Sequence, residues 1–178
     1  MQAAIDVISE RGYQSATIDH IVAKAGTSRA TFYLHFESKP QALMAGWEEI
    51  HLPNVMELLI ELDSKPKPAK AFVRDWVDRL IRYWEDNKNV AIASNQAITL
   101  ETEISAEWFR RIFRIASNLP NWLSRNEDNL KEAQTRLFLL GVQLEHVLFM
   151  LVSGAAPLTR EQIVTALAER WAEEFMPR

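Results

Sequence analysis

The sequence predicts an all-α fold of about nine helices, with a three-helix domain at the N-terminus followed by a helical bundle. Apolar residues recur at helical spacing along most of the 178 residues, and the alternation typical of strands is absent. Only 5 Gly and 7 Pro are available for the many turns of a sheet protein. With 48% hydrophobic and 25% charged residues, the composition is that of a soluble globular protein.

Composition also restricts the compartment and the chemistry. The chain has no cysteine, which excludes disulfides and thiolate metal sites and fits a reducing cytosol. No signal peptide is visible at the N-terminus. The most apolar segment, 137–152, contains Gln143, Glu145 and His146 and is shorter than the ~20 residues that span a bilayer. We therefore expect a cytoplasmic protein without membrane contact.

Two short helices joined by a tight turn are predicted after a first helix over 2–11. Thr17 is a suitable N-cap for a helix with one apolar side. Gly26 can end that helix, because glycine enters the left-handed region without steric cost. Ser28 can cap the next short helix. This is the helix-turn-helix arrangement, in which the second helix enters the major groove of DNA.

These residues resemble the DNA-binding domain of the TetR family of transcriptional regulators. The resemblance covers roughly the first third of the chain. It implies a DNA-binding domain over 1–45 and a ligand-binding and dimerisation domain over 46–178. The partners it implies are operator DNA, a small-molecule effector and a second copy of the chain, with no cofactor. The matching positions are Gly12, Tyr13, Thr17, Ala25, Gly26, Thr27, Ser28, Thr31, Phe32, Tyr33, His35, Phe36 and Lys39.

The predicted DNA contacts divide into base and phosphate contacts. Arg29, at the start of the second helix, can bond O6 and N7 of a guanine. The alternative, to which we give equal weight, is that the Arg29 charge binds a phosphate or remains solvated. Hydroxyl groups can bind phosphates. The resemblance implies that Tyr33 and Lys39 make the strongest phosphate contacts, and His35 is a phosphate contact or a structural histidine. The predicted set is Thr17, Thr27, Ser28, Arg29, Ala30, Thr31, Tyr33, His35 and Lys39.

The charge balance is unfavourable for binding DNA. The net charge is −4, and residues 1–51 carry four Lys or Arg against six Asp or Glu. Neutralising phosphates normally supplies most non-specific affinity. Either a basic arm before the first helix is missing from this sequence, or DNA binding is weak. The same balance supports an alternative function, a helical homodimer that binds a small molecule but has lost DNA binding.

Six more helices are predicted beyond the helix-turn-helix. Ser38 and Gln41 form a capping box for the first of them, and Pro53 should kink it, as a hinge or as a harmless bend. Thr159 and Gln162 form another capping box before the last. The predicted helices cover 39–62, 69–87, 89–100, 103–125, 129–153 and the stretch after Thr159.

The remaining residues favour ligand sensing over catalysis. A di-iron centre needs two Glu-x-x-His pairs, and the sequence has one, Glu48 and His51. The four His lack metal-ligand spacing. No phosphate-binding loop and no nucleophile elbow occurs in the sequence. Aromatic residues line pockets, although ordinary core is the alternative for each tryptophan. A carboxylate such as Glu145 favours an effector with a cationic or donor group, or an internal arginine. The predicted pocket is Trp76, Leu80, Trp84, Trp108, Ile112, Trp122, Glu145 and Phe149.

The predicted helix over 129–153 carries two apolar stripes, which is more than one chain of this size can bury. We therefore expect a two-fold homodimer. Together these patterns predict a regulator, and by resemblance a repressor, that leaves its operator when an apolar or aromatic effector binds. The predicted interface is Leu137, Leu140, Leu144, Leu148, Leu151, Leu167 and Trp171.

Overall fold

The computed structural model describes residues 1–176, and this part of the chain is built from α-helices joined by short turns. It contains no strand, so the predicted all-α class is confirmed. Two 3-10 turns, Ile115–Asn118 and Glu127–Asn129, accompany the helices. The helices are α1 (Gln2–Arg11), α2 (Ile18–Ala25), α3 (Arg29–His35), α4 (Lys39–Ile50), α5 (Leu52–Asp63), α6 (Lys70–Asp86), α7 (Lys88–Leu100), α8 (Thr102–Arg114), α9 (Pro120–Arg125), α10 (Leu130–Val152) and α11 (Arg160–Phe175).

Two predicted long helices are each divided in two, which accounts for a helix count above nine. The stretch 39–62 breaks at His51, between α4 and α5. Pro53 lies in the first turn of α5, where a backbone N–H has no intrahelical acceptor, so proline begins a helix there instead of bending one. The stretch 103–125 likewise divides into α8 and α9, and Pro120 is the first residue of α9.

The chain folds as two compact units. The N-terminal unit comprises Met1–Asn54 and Asn87–Trp108, and the C-terminal unit comprises Val55–Asp86 and the chain from Phe109 onward. The N-terminal unit includes α7 because α7 packs against α1. Tyr13 fixes that contact. Its backbone N–H donates to Oε1 of Gln96 at 2.9 Å, and its hydroxyl donates to Oε1 of Glu101 at 2.8 Å.

The core of the N-terminal unit lies under the helix-turn-helix. α1 packs against α2 and α4 through buried aliphatic side chains, among them Ile5, Ile8 and Leu43. Ile21 and Val22 close the inner face of α2, and Phe32 is the buried residue of α3. Burial of these side chains fixes α2 and α3 on a rigid base.

The core of the C-terminal unit is formed mainly by α6, α10 and α11. Trp76, Trp122 and Phe175 are completely buried within it. α8 lies close to α10 at Gly141, where a Cβ atom would lie 2.7 Å from Cγ2 of Ile112. That distance is too short for any side chain, so glycine permits this helix contact.

The leucine stripe of α10 and the predicted interface residues of α11 belong to this core. The six residues Leu137, Leu140, Leu144, Leu148, Leu167 and Trp171 are buried within one chain, and Leu151 packs against them half-buried. A side chain such as Leu148, which is 4% exposed, offers almost no surface to a second copy. These side chains therefore pack mainly within their own chain, and their predicted role in a dimer interface stays a prediction.

By length and composition alone, the segment Glu127–Val152 qualifies as a membrane-spanning helix. Core helices of soluble proteins meet the same criterion, and α10 supplies five buried residues to the helical core. Only 17% of its most apolar 18-residue window is buried in the chain, and Leu139 within it is 59% exposed.

Candidate nucleic-acid interface

Local hydrogen bonds define the two helices of the helix-turn-helix. Thr17 is the N-cap of α2, as predicted, and its Oγ1 accepts the backbone N–H of His20 at 3.3 Å. In return, Nδ1 of His20 accepts the backbone N–H of Thr17 at 3.3 Å, a capping role that the sequence reading had missed. Gly26 adopts φ 64° and ψ 35°, the left-handed conformation expected where α2 ends.

α3 begins two residues after that turn. Oγ of Ser28 accepts the backbone N–H of Thr31 at 3.1 Å, which confirms the predicted N-cap. Phe32 points into the core, whereas the Tyr33 side chain is 50% exposed and packs edge-on against the Phe32 ring. Arg29 and His35 are also exposed. The outer face of α3 is therefore accessible to a large partner such as a nucleic-acid duplex.

The predicted DNA contacts gather on this surface with one exception. This surface also includes the exposed residues Thr17, Thr27, Ser28 and Ala30 and the half-exposed Thr31. Lys39 instead turns inward, and its Nζ donates to the backbone oxygens of Tyr13 at 2.5 Å and Ala16 at 3.0 Å. Nζ also lies 4.0 Å from the centre of the Tyr13 ring. Burial lowers the pKa of Lys39.

Lys39 therefore ties the segment between α1 and α2 to the start of α4. An ammonium group has three donors, and the two carbonyl oxygens take two of them. The contact of Lys39 with a DNA phosphate stays a prediction. Its bonds to the carbonyl oxygens of Tyr13 and Ala16 are a second, structural role.

An ion pair joins the first turns of α2 and α3. Nη1 of Arg29 donates to Oδ1 of Asp19 at 2.9 Å and to Oδ2 at 3.1 Å. The Tyr33 hydroxyl and the Asp19 carboxylate both raise the pKa of Arg29. Sequence reasoning missed Asp19. The available signal was an acid in the first turn of α2, ten residues before a cation in the first turn of α3.

A second ion pair lies nearby. Nζ of Lys24 donates to Oε1 of Glu10 at 2.5 Å. Lys24 and Arg29 are two of the four cations in residues 1–51, and both are matched by carboxylates. The positive potential of this surface is correspondingly low.

The predicted pocket residues divide between the two units. Trp76, Leu80 and Trp122 are in the C-terminal core. The indole N–H of Trp76 donates to the Leu58 carbonyl at 2.7 Å, and that of Trp122 to Glu174 at 3.2 Å. Trp108 belongs to the N-terminal unit, with its ring 4.5 Å from that of Trp47.

The other predicted pocket residues are half-buried in the C-terminal unit. They are Trp84, Ile112, Glu145 and Phe149. Trp76, Leu80 and Trp122 therefore act as packed core, whereas these four retain accessible surface. The effector site stays a prediction for them.

A polar cleft of about 310 Å³ also lies in the C-terminal unit. Its charges pair within the fold: Nε of Arg136 donates to Oε2 of Glu174 at 3.0 Å, and the Glu174 side chain is 6% exposed. Within residues 1–176, no three His, Asp or Glu side chains gather as metal ligands. The exposed helix-turn-helix is the site that the geometry supports best.

A capped helix-turn-helix with an exposed second helix, joined to a larger helical unit, defines the class of helix-turn-helix transcriptional regulators. Residues 1–43 match the family model described as bacterial regulatory proteins, tetR family. Residues 1–43 are therefore similar to the N-terminal domain of that family.

Two relatives from Bacillus subtilis (strain 168) resemble parts of the chain. YvdT, an uncharacterised HTH-type transcriptional regulator, is 62% identical over 39 residues, which are 22% of this chain and 20% of that protein. YerO, described in the same way, is 25% identical over 115 residues, or 63% of this chain and 39% of that protein. The chain thus spans between a fifth and two fifths of the length of these relatives.

Solved structures share the fold at low sequence identity. A TetR-like transcriptional regulator from Rhodococcus sp. RHA1 has a TM-score of 0.55 at 20% identity, with 98% of this chain and 90% of that chain covered. FadR from Bacillus subtilis, solved in complex with stearoyl-CoA, has a TM-score of 0.60 at 17% identity, covering 98% and 95%. A TetR family regulator from Marinobacter aquaeolei VT8 has a TM-score of 0.59 at 19% identity, covering 99% and 93%.

Proposed function

We propose that this chain is a ligand-responsive transcriptional repressor that binds operator DNA as a homodimer. The observation that carries the DNA-binding part is the exposed face of α3, which presents Arg29, Tyr33 and His35 on a helix that is capped by Ser28 and anchored by Phe32. In this motif the first residues of the second helix reach base edges, and hydroxyl groups nearby bind phosphates.

The homodimer is supported by uncovered apolar surface in the C-terminal unit. Leu139 is 59% exposed on α10, and Phe113 of α8 is 46% exposed. The Phe138 ring lies 6.4 Å from that of Phe109 and 6.1 Å from that of Phe113. We call these four residues the α8–α10 patch. A second copy would cover it, and two copies would supply the two recognition helices that a palindromic operator needs, ~34–36 Å apart.

The effector part of the proposal is an apolar molecule with a polar end. The fold neighbour FadR was solved with stearoyl-CoA, whose acyl chain is apolar and whose other end is charged. Trp84 and Phe149 are half-buried aromatic residues of the C-terminal unit and are suited to contact the apolar part of such a molecule. To release the operator, the effector must bind the DNA-incompetent state more tightly than the competent one.

The second candidate function is a ligand-binding homodimer that no longer binds DNA. It is favoured by the four cations against six acids in residues 1–51, and by the pairing of Lys24 with Glu10 and of Arg29 with Asp19. Weak phosphate neutralisation lowers affinity for every duplex.

The deciding experiment selects duplexes from a randomised DNA pool with the wild-type protein and then measures their binding by fluorescence anisotropy over a range of salt. The proposal expects an enriched palindrome and affinity that falls as salt rises. Tyr33→Phe should weaken binding to all duplexes alike, because a phosphate contact carries no base information. No enriched sequence and no salt-dependent binding would leave the second candidate.

The effector is tested on the same complex with a matched pair of ligands. Stearoyl-CoA should release the selected duplex, whereas coenzyme A without an acyl chain should not. Because coupling between two sites is reciprocal, the selected duplex should weaken stearoyl-CoA binding by the same factor. Equal stearoyl-CoA affinity with and without DNA would exclude induction by this ligand.

A further inference from the structure

The pair between Asp19 and Arg29 spans the helix-turn-helix at the point where bases are read. Asp19 is the second residue of α2 and Arg29 is the first residue of α3, so both side chains leave backbone that is fixed by a capped helix. Both contacts, at 2.9 and 3.1 Å, involve Nη1 of Arg29. The carboxylate thus holds one corner of the guanidinium group.

The other edge of the guanidinium is left out of this contact. A guanidinium carries five N–H groups in a planar fork, and a guanine accepts two of them at O6 and N7. With Nη1 on Asp19, that carboxylate does not use the edge formed by Nε and Nη2, and the Tyr33 hydroxyl also interacts with the guanidinium. A restrained fork loses less conformational entropy when it meets a base than a freely rotating side chain does.

The negative charge of Asp19 also lowers the affinity for DNA in general, and this loss can increase specificity. Asp19 is 65% exposed beside the face of α3 that would meet DNA, and a negative charge there repels phosphates. The repulsion applies to every duplex, whereas the oriented fork benefits only a duplex with the right base. An element that penalises the wrong partners together with one that favours the right partner increases specificity.

We propose that Asp19 is a positioning residue that sets the base preference of the proposed DNA binding by orienting Arg29. The inference rests on the proposed function, since it concerns the same surface. Asp19 touches no base itself and acts through the guanidinium group. A competing role, in which Asp19 merely blocks Arg29 from DNA, predicts a different result in the same experiment.

The test compares Asp19→Asn and Asp19→Glu with wild type on the duplex that wild type selects from a randomised pool. Base preference is measured with every single-base-pair variant of that duplex, and non-specific binding with a scrambled duplex over a range of salt. Glu10→Gln is the matched control, because it also removes one acid and frees one cation, Lys24, from an exposed pair. Arg29→Ala identifies the base pair that Arg29 reads.

Asp19→Asn should lower the preference at that base pair by about tenfold, since a well-placed guanine contact contributes discrimination of this order. It should also strengthen scrambled-duplex binding and steepen the salt dependence by about one phosphate contact. Glu10→Gln should strengthen non-specific binding in the same way with unchanged preference. Asp19→Glu keeps the charge but moves the carboxylate, so it should lose preference without that gain.

Three results would overturn the inference. Unchanged base preference in both Asp19 variants would show that Arg29 orients itself. An equal gain of affinity for selected and scrambled duplexes in Asp19→Asn, with preference intact, would show that the carboxylate only competes with DNA. If wild type enriches no sequence, the proposed function fails and this inference fails with it. Circular dichroism of each variant checks that α2 remains folded.

Discussion

The carboxylate of Asp63 accepts the backbone N–H of Trp122 at 2.7 Å, across 59 residues of sequence. It also accepts the backbone N–H of Asn121 at 3.0 Å, and Nη2 of Arg125 lies 3.5 Å away. Leu119, at the N-cap position of α9, has no side-chain acceptor. The last residue of α5 therefore performs the capping of α9, and this contact joins two helices within the C-terminal unit.

Replacing Asp63 by alanine should lower the free energy of unfolding by about 2–3 kcal/mol, because the buried N–H of Trp122 and the partly buried N–H of Asn121 lose a charged acceptor. Asp63→Asn keeps an acceptor oxygen and should cost less. Urea denaturation followed by tryptophan fluorescence measures both. Glu169→Ala, at an exposed position of α11, is the control and should stay within about 0.5 kcal/mol of wild type. An unchanged urea midpoint for Asp63→Ala would contradict the capping role.

Lys39→Ala should reduce stability as well as any DNA affinity. Its ammonium holds the carbonyl oxygens of Tyr13 and Ala16, so its removal should cost about 1–2 kcal/mol. Lys24→Ala removes a cation from an exposed pair and should have a smaller effect. Thermal unfolding of the two variants separates the cases. Equal melting temperatures would show that the Lys39 contacts contribute nothing to the fold.

His51 should make stability depend on pH. It is buried between α4 and α5, and burial lowers the pKa of its imidazole from 6.5. As the pH falls below 6.5, the unfolded chain takes up the proton first, so the free energy of unfolding decreases; above that pH the contribution is complete. Denaturation series between pH 7.5 and 5 for wild type and His51→Gln measure the difference.

That difference between wild type and His51→Gln should shrink toward acidic pH. A gap between wild type and His51→Gln that stays constant with pH would remove His51 as the source of the dependence.

Leu139→Asp and Phe113→Asp should each convert a dimer into monomers, because a carboxylate in the α8–α10 patch is desolvated when a second copy covers it. Sedimentation velocity at micromolar concentration gives the assembly state. Ile60→Asp is the matched control, since Ile60 is 51% exposed on α5 and lies outside the patch. Leu148→Asp should instead unfold the chain, because Leu148 is core. A wild type that sediments as a monomer would refute the dimer.

The sequence by itself determined what depends on near neighbours in the chain. The caps at Thr17, Ser28 and Thr159 and the left-handed Gly26 all appear as predicted. Each involves residues within about four positions of one another, so residue type and spacing are sufficient to predict it. The all-α class follows for the same reason, because helical periodicity is local.

Only the tertiary structure decided which distant groups meet. The contacts of Asp19 with Arg29, Lys39 with Tyr13, and Asp63 with Trp122 join residues 10, 26 and 59 positions apart. It also decided that the leucine stripe of α10 is core, leaving Leu139 exposed. Two apolar stripes on one helix look alike in sequence. Which of them is buried depends on the packing of helices far apart in the chain, which periodicity within a single segment does not encode.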